Sequence, residues 1–224
     1  MKAVLFDMDG VLVDVALSYR EAVRRTVRHF SGRTVSPEVV QAYKDMGGLN
    51  NDWDLAEKII RDSGNGAAKK DIIRIFQEHY LGRDFDGLIG NESWLLDKKI
   101  LDEIRTRGRT GIVTGRPGPE AAHSLDFFGF RGAFDVCVTA DDIPQNCGKP
   151  HPAGILLALE KLSARGGWYI GDTPDDMAAA SRAGLTAVGI VRPGSGAFPT
   201  AAALEAAGAH IILDDVNRIA EALR

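Results

Sequence analysis

The chain has 224 residues, 45% hydrophobic and 26% charged, with a formal net charge of −4. This composition excludes a disordered chain and argues against a generic nucleic-acid or acidic-membrane binder, and the length suffices for a full core without disulfide or metal staples. The two cysteines, Cys137 and Cys147, read as reduced thiols, and no apolar run approaches membrane-spanning length, so a cytoplasmic protein without membrane or nucleic-acid partners is expected.

A short apolar run, residues 3–6, reads as a buried strand and ends in Asp7-Met8-Asp9-Gly10. Residues 15–90 then read as helices only, over 16–30, 37–46, 52–63 and 69–81. Ser31-Gly32, Gly47-Gly48 and Ser63-Gly64-Asn65-Gly66 break them. From residue 98 onward helices and strands alternate. Helices are expected over 98–107, 119–128, 152–162, 174–183, 201–207 and 216–223. Strands are expected over 111–114, 136–139, 168–171, 187–191 and 210–213. Pro119, Pro152 and Pro174 suit first helical turns, and Gly184 suits a helix stop. The alternation predicts an α/β fold with a parallel sheet between helical layers. The block between the first two strands is far too long for a simple crossover. An inserted all-α domain over 15–90 is therefore expected, with 1–14 and 91–224 forming the core.

Ligands of open parallel sheets bind beyond the carboxyl ends of the strands. Alternation in an extended segment puts Asp7 and Asp9 on one side, with Met8 opposite. Two carboxylates there repel unless a cation sits between them or one holds a proton, an arrangement that a hard ion such as Mg²⁺ accepts. A second copy of the pattern, Asp84-Phe85-Asp86-Gly87, follows no strand and reads as a solvated turn. Three further strand ends support the first copy. In Val113-Thr114-Gly115-Arg116 a hydroxyl and an open backbone N–H could receive phosphate oxygens. In Gly148-Lys149-Pro150 a turn aims an ammonium inward. Gly171-Asp172-Thr173-Pro174-Asp175-Asp176 places Asp172 at a strand end, as a metal ligand, and Asp175 and Asp176 where acids cap a helix.

These four stretches resemble the haloacid dehalogenase-like hydrolases, in the group with a helical cap inserted after the first strand. The most specific piece runs from Gly171-Asp172-Thr173 through Asp176 to Ala183-Gly184. The resemblance implies a Rossmann-like three-layer core, an inserted helical cap and a Mg²⁺ cofactor. It also implies that Asp7 is the nucleophile and a metal ligand. Asp9 would be the general acid and base, and its main-chain carbonyl a further metal ligand. Thr114 and the N–H of Gly115 would hold the phosphoryl group, Lys149 would stabilise its charge, and Asp172 would complete the metal site. Asp176 would orient a water on the metal, or the lysine. An acid at position 9 favours phosphoryl transfer, because dehalogenases of the superfamily lack it: a halide leaves without a proton.

Two details depart from the pattern. Asp14 is followed by Val15 rather than Ser or Thr, so no hinge hydrogen bond is carried over. Gly115-Arg116-Pro117 is also unusual, and Arg116 either reaches a second anionic group on the substrate or lies in solvent. In the insert, the loop from Gly47 to Asn51 is the candidate for reaching into the site. Lys44, Asn50, Asn51 and Trp53 there could contact substrate, or the segment is a plain turn with Trp53 in the insert's own core. The expected function is hydrolysis of a small phosphorylated metabolite, such as phosphoglycolate or a sugar phosphate. A phosphomutase of the β-phosphoglucomutase type and an inactive phosphate-binding regulator are the alternatives, and oligomeric state is left open.

Overall fold

A computed structural model describes residues 1–49, 51–192 and 200–223. Its strands are β1 (Ala3–Phe6), β2 (Val13–Asp14), β3 (Ser93–Trp94), β4 (Arg109–Val113), β5 (Val136–Val138), β6 (Gly167–Gly171), β7 (Thr186–Ile190) and β8 (Ile211–Leu213). Six of them form one parallel sheet in the order β5-β4-β1-β6-β7-β8. The central strand, β1, shows why its sequence is a continuous apolar run. Val4 and Phe6 enter one core layer, Ala3 and Leu5 the other, and all four are buried.

Helices cover both faces of the sheet. One layer holds α5 (Lys98–Arg107), α6 (Gly118–Phe127) and α10 (Ile219–Ala222), through Leu101, Ile104, Ala121 and Ile219. The opposite layer holds α7 (Ala153–Lys161), α8 (Pro174–Arg182) and α9 (Ala201–Ala206), through Ile155, Ala158, Met177, Ala180 and Leu204. The fold is thus a Rossmann-like three-layer α/β architecture. The expected last helix is divided, with a 3₁₀ turn over Val216–Arg218 preceding α10. Pro152 precedes its helix at the N-cap instead of entering the first turn.

Four helices lie between β2 and β3: α1 (Tyr19–Ser31), α2 (Pro37–Asp45), α3 (Asp52–Asp62) and α4 (Lys69–Tyr80). Their apolar faces follow helical spacing: Val23 and Val27 on α1, Leu55 and Ile59 on α3, Ile72 and Phe76 on α4, all buried. Gly32 ends α1 in the left-handed region, with its N–H donating to the Arg28 carbonyl. The chain enters and leaves this helical segment through β2 and β3, which pair antiparallel, Val13 with Trp94 and Asp14 with Ser93. These two-residue strands carry no periodicity and are absent from the sequence-based expectation. The second Asp-x-Asp-Gly copy is a turn, with Asp84 and Asp86 exposed and Asp86 accepting from the Arg83 N–H.

Phe76 fills the centre of the insert and is fully buried, whereas Phe127 on α6 is 63% exposed. Phe76→Ala should cost about 3–5 kcal/mol in urea unfolding, and Phe127→Ser less than about 0.5 kcal/mol.

Candidate active site

The C-terminal ends of the central strands meet at one place because β1 lies between β4 and β6. Asp7 extends β1, and its N–H donates to the Ile170 carbonyl of β6 at 2.8 Å. Met8 turns into the core, while Asp7 and Asp9 both line a cleft of about 620 Å³ between the sheet edge and the insert. The chain then reverses at Gly10, whose φ is +77°. A Cβ there would lie 2.0 Å from Asp172 Oδ2, so only glycine lets the carboxylate at the end of β6 approach β1. Gly171 plays the same part for Asp176, since a Cβ on it would lie 2.3 Å from the Asp176 Cβ.

Lys149 reaches in from the loop after β5, its Nζ 2.7 Å from both Asp7 Oδ1 and Asp176 Oδ1, with all three side chains buried. Asp176 has both oxygens occupied. Oδ1 faces Lys149 and accepts from the Tyr169 hydroxyl at 3.3 Å. Oδ2 accepts from Thr173 Oγ at 2.6 Å and from the N–H groups of Thr173 and Asp172. The Thr173 side chain accepts in turn from the Asp176 N–H, closing a capping box at the head of α8. Asp176 therefore holds Lys149 and the strand end together. Asp172 is different: among the described residues no donor hydrogen-bonds its carboxylate, and Arg20 of α1 makes a 3.9 Å ion pair with it.

Burial pushes the Asp7 carboxyl well up, Lys149 opposes this, and Asp176, Asp9 and Asp172 add to it. Burial, with Asp176 beside it, pushes Asp172 up to about 7, against opposition from Arg20, Lys44 and Lys149. Burial alone would lower Lys149, but Asp176 and Asp7 outweigh it and hold the ammonium charged. Negative charge is thus in excess over the one lysine at the centre. Carboxylate oxygens of Asp7, Asp172 and Asp176 lie within 4.8 Å of one another, all of them hard donors. With Asp176 already engaged by Lys149 and the Thr173 turn, the hard oxygens of Asp7 and Asp172 are the ones that fit a divalent cation of the Mg²⁺ kind.

Thr114 and Gly115 follow β4 at the same edge and line the cleft. The Thr114 hydroxyl accepts from the Arg116 N–H at 3.1 Å. Arg116 corrects the sequence-based expectation on both counts. Its side chain is 0% exposed, so it does not lie in solvent, and every N–H of its guanidinium is engaged by the protein. Nε and Nη2 reach Asp9 Oδ1 at 2.7 and 2.6 Å, Nη1 and Nη2 reach Glu92 at 3.1 and 2.9 Å, and Nη1 reaches Ser124 Oγ at 2.7 Å. Five donors meet five contacts, which leaves none for an anionic group on a substrate.

From the insert, Gly48 donates its N–H to both oxygens of Asp175, at 2.9 and 3.0 Å, so the loop after α2 does reach the sheet edge. Lys44 pairs with Asp52 at 2.9 Å, and Asn51 caps α3 by accepting from the N–H groups of Trp53 and Asp54. Trp53 is half-buried, packing on the insert's core while lining the cleft. Asn50 lies outside the described residues. Glu92, Asp175, Arg20 and Tyr169 were not anticipated as parts of this site. Asp175 alone left a signal, as a helix-capping acid; the others sit in segments without periodic pattern or in plain helix and strand positions.

The family model for haloacid dehalogenase-like hydrolases matches residues 1–184. An imidazoleglycerol-phosphate dehydratase of Phytophthora nicotianae is 37% identical over 202 residues, which are 86% of this chain and 44% of that protein; the chain thus spans less than half of that relative. A phosphoglycolate phosphatase of Yersinia pseudotuberculosis is 28% identical over 196 residues, covering 85% of this chain and 81% of the other. Among solved structures, a hydrolase from Pseudomonas syringae matches with a TM-score of 0.76 at 22% identity, over 99% of this chain and 98% of that one, a likeness of fold. With the family model spanning the sheet-edge carboxylates, the lysine and the helical insert alike, the chain belongs to the haloacid dehalogenase-like hydrolases.

Proposed function

We propose that the protein is a Mg²⁺-dependent phosphatase that hydrolyses a small phosphorylated metabolite through an aspartyl-phosphate on Asp7. The observation that carries this reading is the state of Asp7. Its Oδ1 is held by Lys149 at 2.7 Å, while Oδ2 takes no hydrogen bond from the described residues, and Asp7 lines the cleft together with Asp172. A carboxylate fixed by one oxygen and open at the other suits a nucleophile.

Asp7 and Asp172, with the main-chain carbonyl of Asp9, would hold the cation; Asp176 is already spent on Lys149 and the Thr173 turn. When bound, Mg²⁺ supplies neutralisation of the phosphoryl oxygens and of the crowded carboxylates. Thr114 Oγ and the Gly115 N–H receive phosphoryl oxygens, and Lys149 adds its charge. Asp7 attacks phosphorus in line while Asp9 gives a proton to the departing alcohol. Asp9 then takes a proton from the water that cleaves the aspartyl-phosphate, which releases inorganic phosphate and restores Asp7. Residues 15–90 act as a cap, with Gly48 latched on Asp175, and exclude bulk water during the first step. The free thiols Cys137 and Cys147 suit the reducing cytoplasm as the site of action.

The 28%-identical relative favours a phosphoglycolate-like substrate. A second reading has its own support: the 37%-identical relative is named for a phosphorylated imidazole compound. At the cap end of the cleft, Lys44 is matched by Asp52 at 2.9 Å and Lys69 by Asp54 at 2.5 Å, with Trp53 between them in sequence. Paired cations and an aromatic ring suit a flat, uncharged or weakly basic leaving group better than a carboxylate.

A phosphate-release panel with Mg²⁺ should include phosphoglycolate, sugar phosphates and imidazole-bearing phosphomonoesters. Turnover of p-nitrophenyl phosphate should vanish in Asp7→Asn and in EDTA, return when Mg²⁺ is added back, and fall about 10²–10⁴-fold for alkyl phosphates in Asp9→Asn. Undiminished activity in Asp7→Asn would refute the mechanism, and an isomerised sugar phosphate in place of inorganic phosphate would mark a mutase.

The raised Asp172 gives a separate check on the cation. Without a divalent ion, the folded protein binds this proton more tightly than the unfolded chain does. The stability from Asp172 is then complete below about pH 4 and lost as pH rises through about 7. Melting temperatures in EDTA should fall across that window, and saturating Mg²⁺ should flatten the dependence.

A further inference from the structure

Asp9 differs from the other acids of the site in how it is held. Asp7 continues β1 and Asp172 continues β6, whereas Asp9 lies on the turn that Gly10 reverses, and its side chain is 28% exposed. An exposed carboxylate on a turn samples several rotamers, and a proton donor gains from being held in one. Nε and Nη2 of Arg116 converge on a single Asp9 oxygen, Oδ1, at 2.7 and 2.6 Å. The other oxygen takes no hydrogen bond from the described residues and lies on a residue that lines the cleft.

Arg116 is held on its far side by Glu92, whose side chain is 1% exposed. Glu92 also accepts from Ser18 Oγ at 2.9 Å, Tyr80 hydroxyl at 3.1 Å and Ser124 Oγ at 3.2 Å. Ser18 precedes α1, Tyr80 ends α4, and Glu92 precedes β3, so this carboxylate gathers donors from both ends of the insert. The Tyr19 ring covers the guanidinium, its centroid 5.0 Å from Cζ. A buried arginine flanked by two carboxylates, a hydroxyl and an aromatic face is fully satisfied and has one geometry available.

We propose that Arg116 is a positioning residue for proton transfer: it clamps Asp9 by one oxygen, presents the other to the leaving group, and takes its own position from Glu92 at the junction of insert and sheet. This deepens, and rests on, the assignment of Asp9 as acid and base. Lysine cannot replace it, because a single ammonium does not reproduce a planar fork that reaches Asp9 and Glu92 together.

The test compares kcat/KM, which reports the first phosphoryl transfer, for two kinds of phosphomonoester in the presence of Mg²⁺. p-Nitrophenyl phosphate loses its leaving group without a proton, whereas the best alkyl phosphate of the release panel needs one. Arg116→Lys should lower the alkyl value about 10²-fold and the aryl value less than roughly threefold. Added to Asp9→Asn, it should cause little further loss on the alkyl substrate, because the two act as a unit. Equal losses on both substrates, or additive losses in the double variant, would overturn the positioning role. Should Arg116→Lys fail to fold, Glu92→Gln keeps the side-chain shape while weakening the anchor, and the same substrate selectivity is required of it. Asp9→Asn alone is the control for the underlying reading: if it lowers both substrates equally, the acid–base assignment fails irrespective of Arg116.

Discussion

Repulsion among carboxylates at the carboxyl edge of a parallel sheet is the constraint around which this protein is arranged. Asp7, Asp172 and Asp176 are buried with oxygens within 4.8 Å of one another, and their mutual approach depends on glycine at positions 10 and 171. One lysine, shared between Asp7 and Asp176, offsets part of that charge. Asp176 is further quieted by the Thr173 hydroxyl and two backbone N–H groups. What remains is concentrated on Asp7 and Asp172, whose carboxyls are raised first by burial and then by the neighbouring carboxylates. Such an excess of buried carboxylate is compatible with a hard cation.

Sheet and insert contribute unlike things. The sheet edge supplies the buried carboxylates, the lysine and the Thr114–Gly115 turn that line the cleft. The insert supplies the remaining wall of the cleft, with Lys44, Asp52 and Trp53, and meets the sheet side at defined points. Gly48 bonds to Asp175, Arg20 approaches Asp172, and Gln77 donates to Glu120 on α6 at 2.8 Å beside the Tyr19 hydroxyl. Glu120 itself is buried enough that its carboxyl is raised, although both hydrogen bonds oppose the shift. Several of these contacts are buried, as at Arg20–Asp172 and Tyr19–Glu120, so the two halves meet through polar groups shielded from water.

Much of this was legible in the sequence because it depends on local rules. The sheet strands announced themselves as short runs apolar on both faces, as Ala3–Phe6 shows, and the four insert helices by spacing and breakers. Asp7, Lys149 and Asp172 were readable because each lies at a strand end or a punctuated turn. Arg116 was misread for a physical reason: its environment is set by Glu92, Ser18, Tyr80 and Ser124, residues distant in sequence that no periodicity links to it. The β2–β3 pair escaped for a similar reason, since two residues per strand are too few to show alternation.

That small ribbon has a consequence for how such a molecule can vary. Because Val13 sits opposite Trp94, the polypeptide departs from the main sheet and returns to it at neighbouring points. No described residue between those points belongs to a strand of the six-stranded sheet, so a module of another length or shape could be spliced there with the carboxylate-bearing edge left intact. Chemistry and selectivity are thereby free to diversify at separate rates.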